Sequence, residues 1–188
     1  MKRGLVLIIL AISIISSCKN RVVNSPESIQ EPVADSRGYI VEVGDSAPDF
    51  QIEYLDGKTE SLSEHKGKII MIQFTASWCG VCRKEMPHIE ERIWKRFSGN
   101  PNFMLIGVDY KEDKETTEKF SGDMNITYPL TLDKEGERFS LFCGPDAGVT
   151  RNIIVAPDGK IIMLTRLFEE EEFNEMVELI ASELNKIS

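Results

Sequence analysis

A continuous β-leaning run, Ile69-Ile70-Met71-Ile72-Gln73-Phe74-Thr75, leads into Trp78-Cys79-Gly80-Val81-Cys82. Beyond it the apolar residues change period, falling at Ile89, Ile93 and Phe97 as they do on one side of a helix. The pattern predicts a strand buried on both faces, a short turn, and a helix that opens on a cysteine. No other stretch of the chain limits its fold as much.

The position of the cysteine has a chemical consequence. Free N–H groups and the positive end of the helix dipole favour a thiolate on Cys79. A thiolate is the nucleophile of thiol–disulfide exchange, and cysteines of Cys-x-x-Cys at helix starts have lowered pKa values. Cys82, one turn on, can resolve a mixed disulfide formed on Cys79. The alternatives are half of a zinc site or a plain structural disulfide. A structural zinc site takes four ligands, and the chain's other candidates, Cys18, Cys143, His65 and His88, lack ligand spacing. The strand–turn–helix context favours redox chemistry.

A chain of 188 residues with 41% hydrophobic content suits one domain with appendages. A formal net charge of −9 argues against nucleic acid as a partner. Four cysteines are too few for a disulfide scaffold.

Residues 1–17 read as a signal peptide of the lipoprotein type. Lys2 and Arg3 precede a short apolar core, Leu5 to Ile15, which is too short for a comfortable membrane span. The segment ends in Ile15-Ser16-Ser17-Cys18. This resembles a bacterial lipobox, which implies cleavage before Cys18 and lipid attachment to it. An ordinary signal peptide with an incidental cysteine is the alternative. Residues 18–38 are polar, contain Pro26 and Pro32, and read as a flexible tether. The expected location is extracytoplasmic, lipid-anchored to a membrane, on the periplasmic side in a Gram-negative cell.

Residues 39–188 are expected to form the folded domain. Predicted elements are a short strand at Tyr39–Val43, a hairpin of Gln51–Tyr54 with Thr59–Leu62, and the central strand Ile69–Thr75. A helix from Gly80 to about Phe97 follows, kinked by Pro87. Then come a strand at Phe103–Asp109, a helix over Lys111–Ser121, a strand within Ile126–Leu132, and a brief helix in Lys134–Phe142. Asn152–Ala156 and Ile161–Thr165 flank the turn Pro157-Asp158-Gly159-Lys160. Glu169–Ile187 closes the chain as an amphipathic helix with four leading acids. His65 reads as a solvated loop residue and His88 as a helix-surface residue. The order implies an α/β fold, a central mixed sheet with helices on both faces.

The chain resembles thioredoxin-like thiol–disulfide oxidoreductases of the TlpA/ResA type within the redoxin (AhpC/TSA) superfamily. The resemblance runs from about Val43 to Leu184. Its carriers are Gly44 with Ala47-Pro48-Asp49-Phe50, Gly57-Lys58, Leu62, Gly67-Lys68, Phe74 through Cys82 with Glu85 and Pro87, and Pro157 through Lys160. It implies a thioredoxin fold with an added N-terminal β-hairpin. It implies no cofactor other than a redox-active Cys79–Cys82 disulfide, and no metal. Partners would be disulfide-containing extracytoplasmic proteins, a thiol electron donor in the membrane, and the membrane itself through lipidated Cys18. It also suggests Glu112, after the FMLIGVD strand, as a base for Cys82, with a solvated acidic loop as the alternative.

Two features depart from the pattern. Thr150 occupies the place of the usual cis-proline facing the cysteine pair, so a trans Val149–Thr150 bond is expected. Trp78, Val149, Thr150 and Arg151 are then the candidate substrate-binding residues. Arg151 also resembles the arginine that peroxiredoxins set beside their reactive thiolate, with a surface arginine as the alternative. Cys143 is either a buried, inert thiol or a third redox cysteine.

Disulfide reduction is the leading expectation, because Gly80-Val81 is not the Pro-His of strong periplasmic oxidants. A thiol peroxidase using Cys79 with Arg151 is second, weakened by Ala76 where peroxiredoxins carry Thr or Ser. A non-enzymatic lipoprotein binding a metal or partner through the two cysteines is third.

Overall fold

The computed structural model describes residues 37–187. The signal-peptide reading, Cys18 and nearly all of the tether lie outside the described residues. Five strands form a mixed sheet in the order β5-β4-β3-β6-β7. They are β3 (Ile69–Thr75), β4 (Phe103–Tyr110), β5 (Leu130–Asp133), β6 (Arg151–Val155) and β7 (Ile161–Arg166). β3, β4 and β5 run parallel, and β6 and β7 are antiparallel to their neighbours. β1 (Gln51–Glu53) and β2 (Thr59–Ser61) make a separate antiparallel hairpin. Tyr54 then bridges to Thr131 of β5, so the hairpin extends from the sheet without becoming its edge.

β3 is buried along its whole length, as its unbroken apolar run requires. Its even-numbered side chains, Ile70, Ile72 and Phe74, meet Ile106, Val108, Ile153, Val155, Phe139 and Phe142 on one face. Ile69 and Met71 meet the other core, built from Met86, Ile89, Ile93, Phe120, Ile154, Met176 and Ile180. The second face is covered by α1 (Gly80–Ile89), α3 (Lys114–Met124) and α5 (Glu170–Lys186). The first is covered by α4 (Glu137–Ser140) and the amino-terminal segments. A mixed sheet with helices on both faces and an added hairpin is therefore present.

The first helix is interrupted where a proline was expected to disturb it. α1 contains Pro87, passes into a π-helical stretch, Glu90–Trp94, and ends in α2 (Lys95–Phe97). π-turns of this kind are how a helix absorbs a break in its hydrogen-bond ladder. α3 starts three residues later than its charge pattern suggests. Lys111 has φ of 58°, and the helix waits for Asp113, whose carboxylate caps it by accepting the Thr116 N–H at 2.8 Å.

Tyr39–Val43 does not form a strand. It makes one bridge, Tyr39 to Cys143, because its neighbour is the irregular loop after α4, with the Ile40 N–H bound to the Phe142 carbonyl. Residues 37 and 38 also contact the fold. Arg37 donates to the Leu164 carbonyl at 2.8 Å and pairs with Glu172, and the Gly144 N–H binds the Gly38 carbonyl. His65 is not a solvated loop residue: its Nε2 lies 2.9 Å from Glu60 Oε1. His88 is half-buried and stacks on Phe168 at 4.8 Å. Among the described residues no helix is long and apolar enough to cross a membrane.

Candidate active site

Cys79 and Cys82 are joined in a disulfide at the amino end of α1. Cys79 is the cap of that helix, and its sulfur accepts the Cys82 N–H at 3.2 Å. The bond places one free amide of the helix start on the reactive sulfur. Thr150, entering β6, sets its hydroxyl 3.1 Å from Cys79 Sγ and 3.2 Å from Cys82 Sγ. A disulfide sulfur carries no proton, so the hydroxyl is the donor. The two sulfurs differ in access: Cys79 is 8% exposed and Cys82 is fully buried.

The turn before the pair is held from the loop that follows β4. Ser77 donates its N–H to Glu112 Oε2 at 2.6 Å and its hydroxyl to Glu112 Oε1 at 2.5 Å. Arg83 Nε donates to the Ser77 carbonyl at 2.7 Å. Glu112 thus meets the site through Ser77, two residues before Cys79. Next to it, Asp109 is fully buried, with the Thr117 side chain and the Glu112 carboxylate as its polar neighbours. Burial, with the Glu112 charge adding to it, holds the Asp109 carboxyl well above the usual range.

A second carboxyl lies under α1. Glu85 is three residues after Cys82, on the same side of the helix, and is 1% exposed. Asn152 Nδ2 donates to its Oε1 at 2.6 Å, and Gln73 Nε2 approaches its Oε2 at 3.4 Å. The Tyr128 hydroxyl donates to Gln73 Oε1 at 2.8 Å. Gly107 makes room for this chain: a Cβ there would lie 2.4 Å from Leu130 Cδ2 and 3.3 Å from Tyr128 Cε2. Burial pushes the Glu85 carboxyl up to about 7, against the lowering effect of its two amide donors. In the sequence Glu85 marked only the resemblance. The signal for more was a carboxylate on the apolar stripe Cys82, Met86, Ile89.

Trp78 is 65% exposed beside Cys79, and Val149 and Thr150 are buried behind it. No cis peptide occurs among the described residues, so the Val149–Thr150 bond is trans. Arg151 is neither a surface residue nor bound to Cys79. It is fully buried, donates Nε to the Gly148 carbonyl at 2.8 Å and Nη2 to the Arg37 carbonyl, and lies 4.4 Å from the Tyr39 ring centroid. Alternation along β6 separates it from Thr150. Cys143 is free and buried, and burial pushes its thiol up to about 12, with Arg151 opposing. Among the described residues no three His, Cys, Asp or Glu side chains group as metal ligands.

Known proteins share this arrangement of sequence and fold. Thiol-disulfide oxidoreductase ResA of Geobacillus thermodenitrificans is 26% identical over 144 residues, 74% of this chain and 79% of the relative. ResA of Oceanobacillus iheyensis is 32% identical over 127 residues, 65% of this chain and 64% of the relative. Among solved structures, a candidate protein disulfide isomerase from Bacteroides thetaiotaomicron is 49% identical. It superposes with a TM-score of 0.77 over 79% of this chain and 93% of its own. The AhpC/TSA family model matches residues 43–163. The chain belongs to the AhpC/TSA family, among relatives named thiol-disulfide oxidoreductases.

Proposed function

We propose that the protein is a thiol–disulfide oxidoreductase that reduces protein disulfides outside the cytoplasm, held at a membrane through Cys18. The observation that carries the chemistry is the unequal access of the two sulfurs, with Cys79 at the surface and Cys82 enclosed. Reduced Cys79 attacks one sulfur of a substrate disulfide, forming a mixed disulfide and releasing the other sulfur as a thiolate. Cys82 gives up its proton and attacks Cys79 Sγ. The substrate leaves with its second thiol, and two electrons have moved from the Cys79/Cys82 dithiol to the substrate. No cofactor is needed for these steps, and a dithiol donor must return the electrons.

Each neighbour has a part in this sequence. The Cys82 N–H and the Thr150 hydroxyl stabilise negative charge on Cys79 when its bond is broken. Glu85 titrates near neutrality one turn from Cys82 and is suited to accept its proton. Glu112 positions the Ser77 turn. The peroxidase reading is less well supported, because the Arg151 hydrogen bonds go to backbone carbonyls of Gly148 and Arg37. Cysteine pairs of this kind serve oxidants as well as reductants, so the direction is tested directly. The reduced protein mixed with insulin should cleave its disulfides, and Cys79→Ser should abolish this. Rapid peroxide oxidation with no insulin cleavage would refute the reductase reading.

A further inference from the structure

Thr150 stands where a proline usually faces the cysteine pair, and the peptide bond before it is trans. A proline ring fixes its own φ, and a threonine has no such constraint. Residues 144–150 lie in no helix or strand. Yet the Thr150 hydroxyl serves the sulfurs only while it stays 3.1 and 3.2 Å from them. A displacement of about 1 Å would break both contacts. The restraint must come from neighbouring groups. On one side, the Thr150 carbonyl accepts the Leu167 N–H at 3.2 Å. On the other, Arg151 Nε donates to the Gly148 carbonyl at 2.8 Å and closes a ring around Val149 and Thr150.

Arg151 is fully buried. Among the described residues its partners are the carbonyls of Gly148 and Arg37 and the ring and hydroxyl of Tyr39, with no carboxylate in ion-pair range. Taking a guanidinium out of water without a counter-ion is strongly unfavourable, so charge pairing does not account for this residue. What a guanidinium offers here is a rigid, planar fork that ties separate stretches of backbone together. One prong holds the turn at Gly148. The other holds residues 37–39, which are fastened in their own right. Arg37 donates to the Leu164 carbonyl and pairs with Glu172, and Tyr39 donates its hydroxyl to the Thr165 carbonyl. The Gly38 carbonyl accepts the Gly144 N–H at the start of the loop. Residues 37–39 therefore form a strap that fastens the start of the loop, the arginine and β7 to one another.

We propose that Arg151 is a positioning residue: clamped by the Arg37–Tyr39 strap, it holds the Gly148–Thr150 turn so that the Thr150 hydroxyl meets the sulfurs and stabilises the Cys79 thiolate. This rests on the reductase reading above, whose attacking group is that thiolate. Arg151 acts through the hydroxyl, with no contact to sulfur or substrate. Two competing explanations exist. The buried cation could act on Cys79 by its charge alone, or it could serve packing alone.

The test measures the pH midpoint for iodoacetamide alkylation of Cys79 in the reduced full chain, with the modified peptide followed by mass spectrometry. Arg151→Met removes the charge and the fork. Arg151→Lys keeps the charge and loses the fork. Each should raise the midpoint by roughly one pH unit, the scale of the lost Thr150 hydrogen bond. Neither should raise it further in a Thr150→Val background, because both changes remove the same contact. Gly38→Ala leaves the arginine in place but sets a Cβ 3.1 Å from its Nη2. It should raise the midpoint in the wild-type background and not in Thr150→Val. If Arg151→Met does not fold, the two Gly38→Ala backgrounds decide. A wild-type midpoint in Arg151→Lys, or a rise that persists in Thr150→Val, overturns the proposal and assigns Arg151 to charge. Unmoved midpoints with lowered thermal stability overturn it in favour of packing. Failure of the wild type to cleave insulin sinks the reductase reading, and the alkylation midpoints still decide whether Arg151 acts through Thr150.

Discussion

Asn152 Nδ2 donates a 2.6 Å hydrogen bond to Glu85 Oε1, tying the middle strand of the antiparallel half of the sheet to the helix that carries the cysteines. The contact leaves Glu85 buried yet partly compensated, and its carboxyl titrates at about 7 in place of its ordinary 4.5. Resolution by Cys82 should accelerate as pH rises through about 7 in the wild type. Glu85→Gln should flatten that limb and slow resolution roughly 10²-fold or more. Rapid-quench measurement of mixed-disulfide decay from pH 5 to 9 checks this.

The same shift has a thermodynamic consequence with a definite sign. The unfolded carboxyl ionises near 4.5, while the folded one holds its proton to about 7. Its stabilising contribution is fully present below the lower value and is lost as pH rises through the upper one. Wild type should lose up to about 3 kcal/mol relative to Glu85→Gln between those limits. Urea unfolding of both proteins at pH 4.5, 6 and 7.5 measures it.

Thr150→Val removes one hydroxyl and little volume. The hydroxyl faces both sulfurs, so its loss takes a donor from the Cys79 thiolate. A hydrogen bond to a charged group is worth about 1.5–3 kcal/mol, so the pH midpoint for iodoacetamide alkylation of Cys79 should rise by roughly one unit or more. An unchanged midpoint would remove Thr150 from the chemistry.

Glu112 and Glu85 should be separable by their pH behaviour. Glu112→Gln breaks one of the two bonds to Ser77 and should cost about 1–2 kcal/mol of local order. Amide exchange at Ser77, Trp78 and Cys79 should quicken and turnover should fall, with the pH profile unmoved. A profile displaced as in Glu85→Gln would instead make Glu112 a base.

Much of this was legible in the sequence because it is local. The bounds of β3 follow from an unbroken apolar run, and the start of α1 follows from the change of period at the cysteines. The hairpin turn at Pro157 to Lys160 was legible for the same reason, since Gly159 supplies the φ of 86° it needs. What the sequence hid depends on register between distant strands. Asn152 reaches Glu85 because β6 lies beside β3, opposite Gln73. Arg151, one residue earlier, turns to the other face and anchors Arg37 and Tyr39. Tyr39 to Glu42 alternates buried and exposed residues as a strand does, but Val43 is exposed and the segment has only a loop to pair with. Glu112 was picked out by its place after β4, yet its partner, Ser77, is set by the geometry of a turn 35 residues away.

The central claim is that Cys79 attacks and Cys82 resolves, and trapping tests it most directly. Reduced Cys82→Ser, mixed with a protein disulfide, should accumulate a mixed disulfide through Cys79 that mass spectrometry can locate. Cys79→Ser should accumulate none, because Cys82 is buried. A stable adduct on Cys82 in the Cys79→Ser protein, or none on Cys79 in the Cys82→Ser protein, would contradict the account.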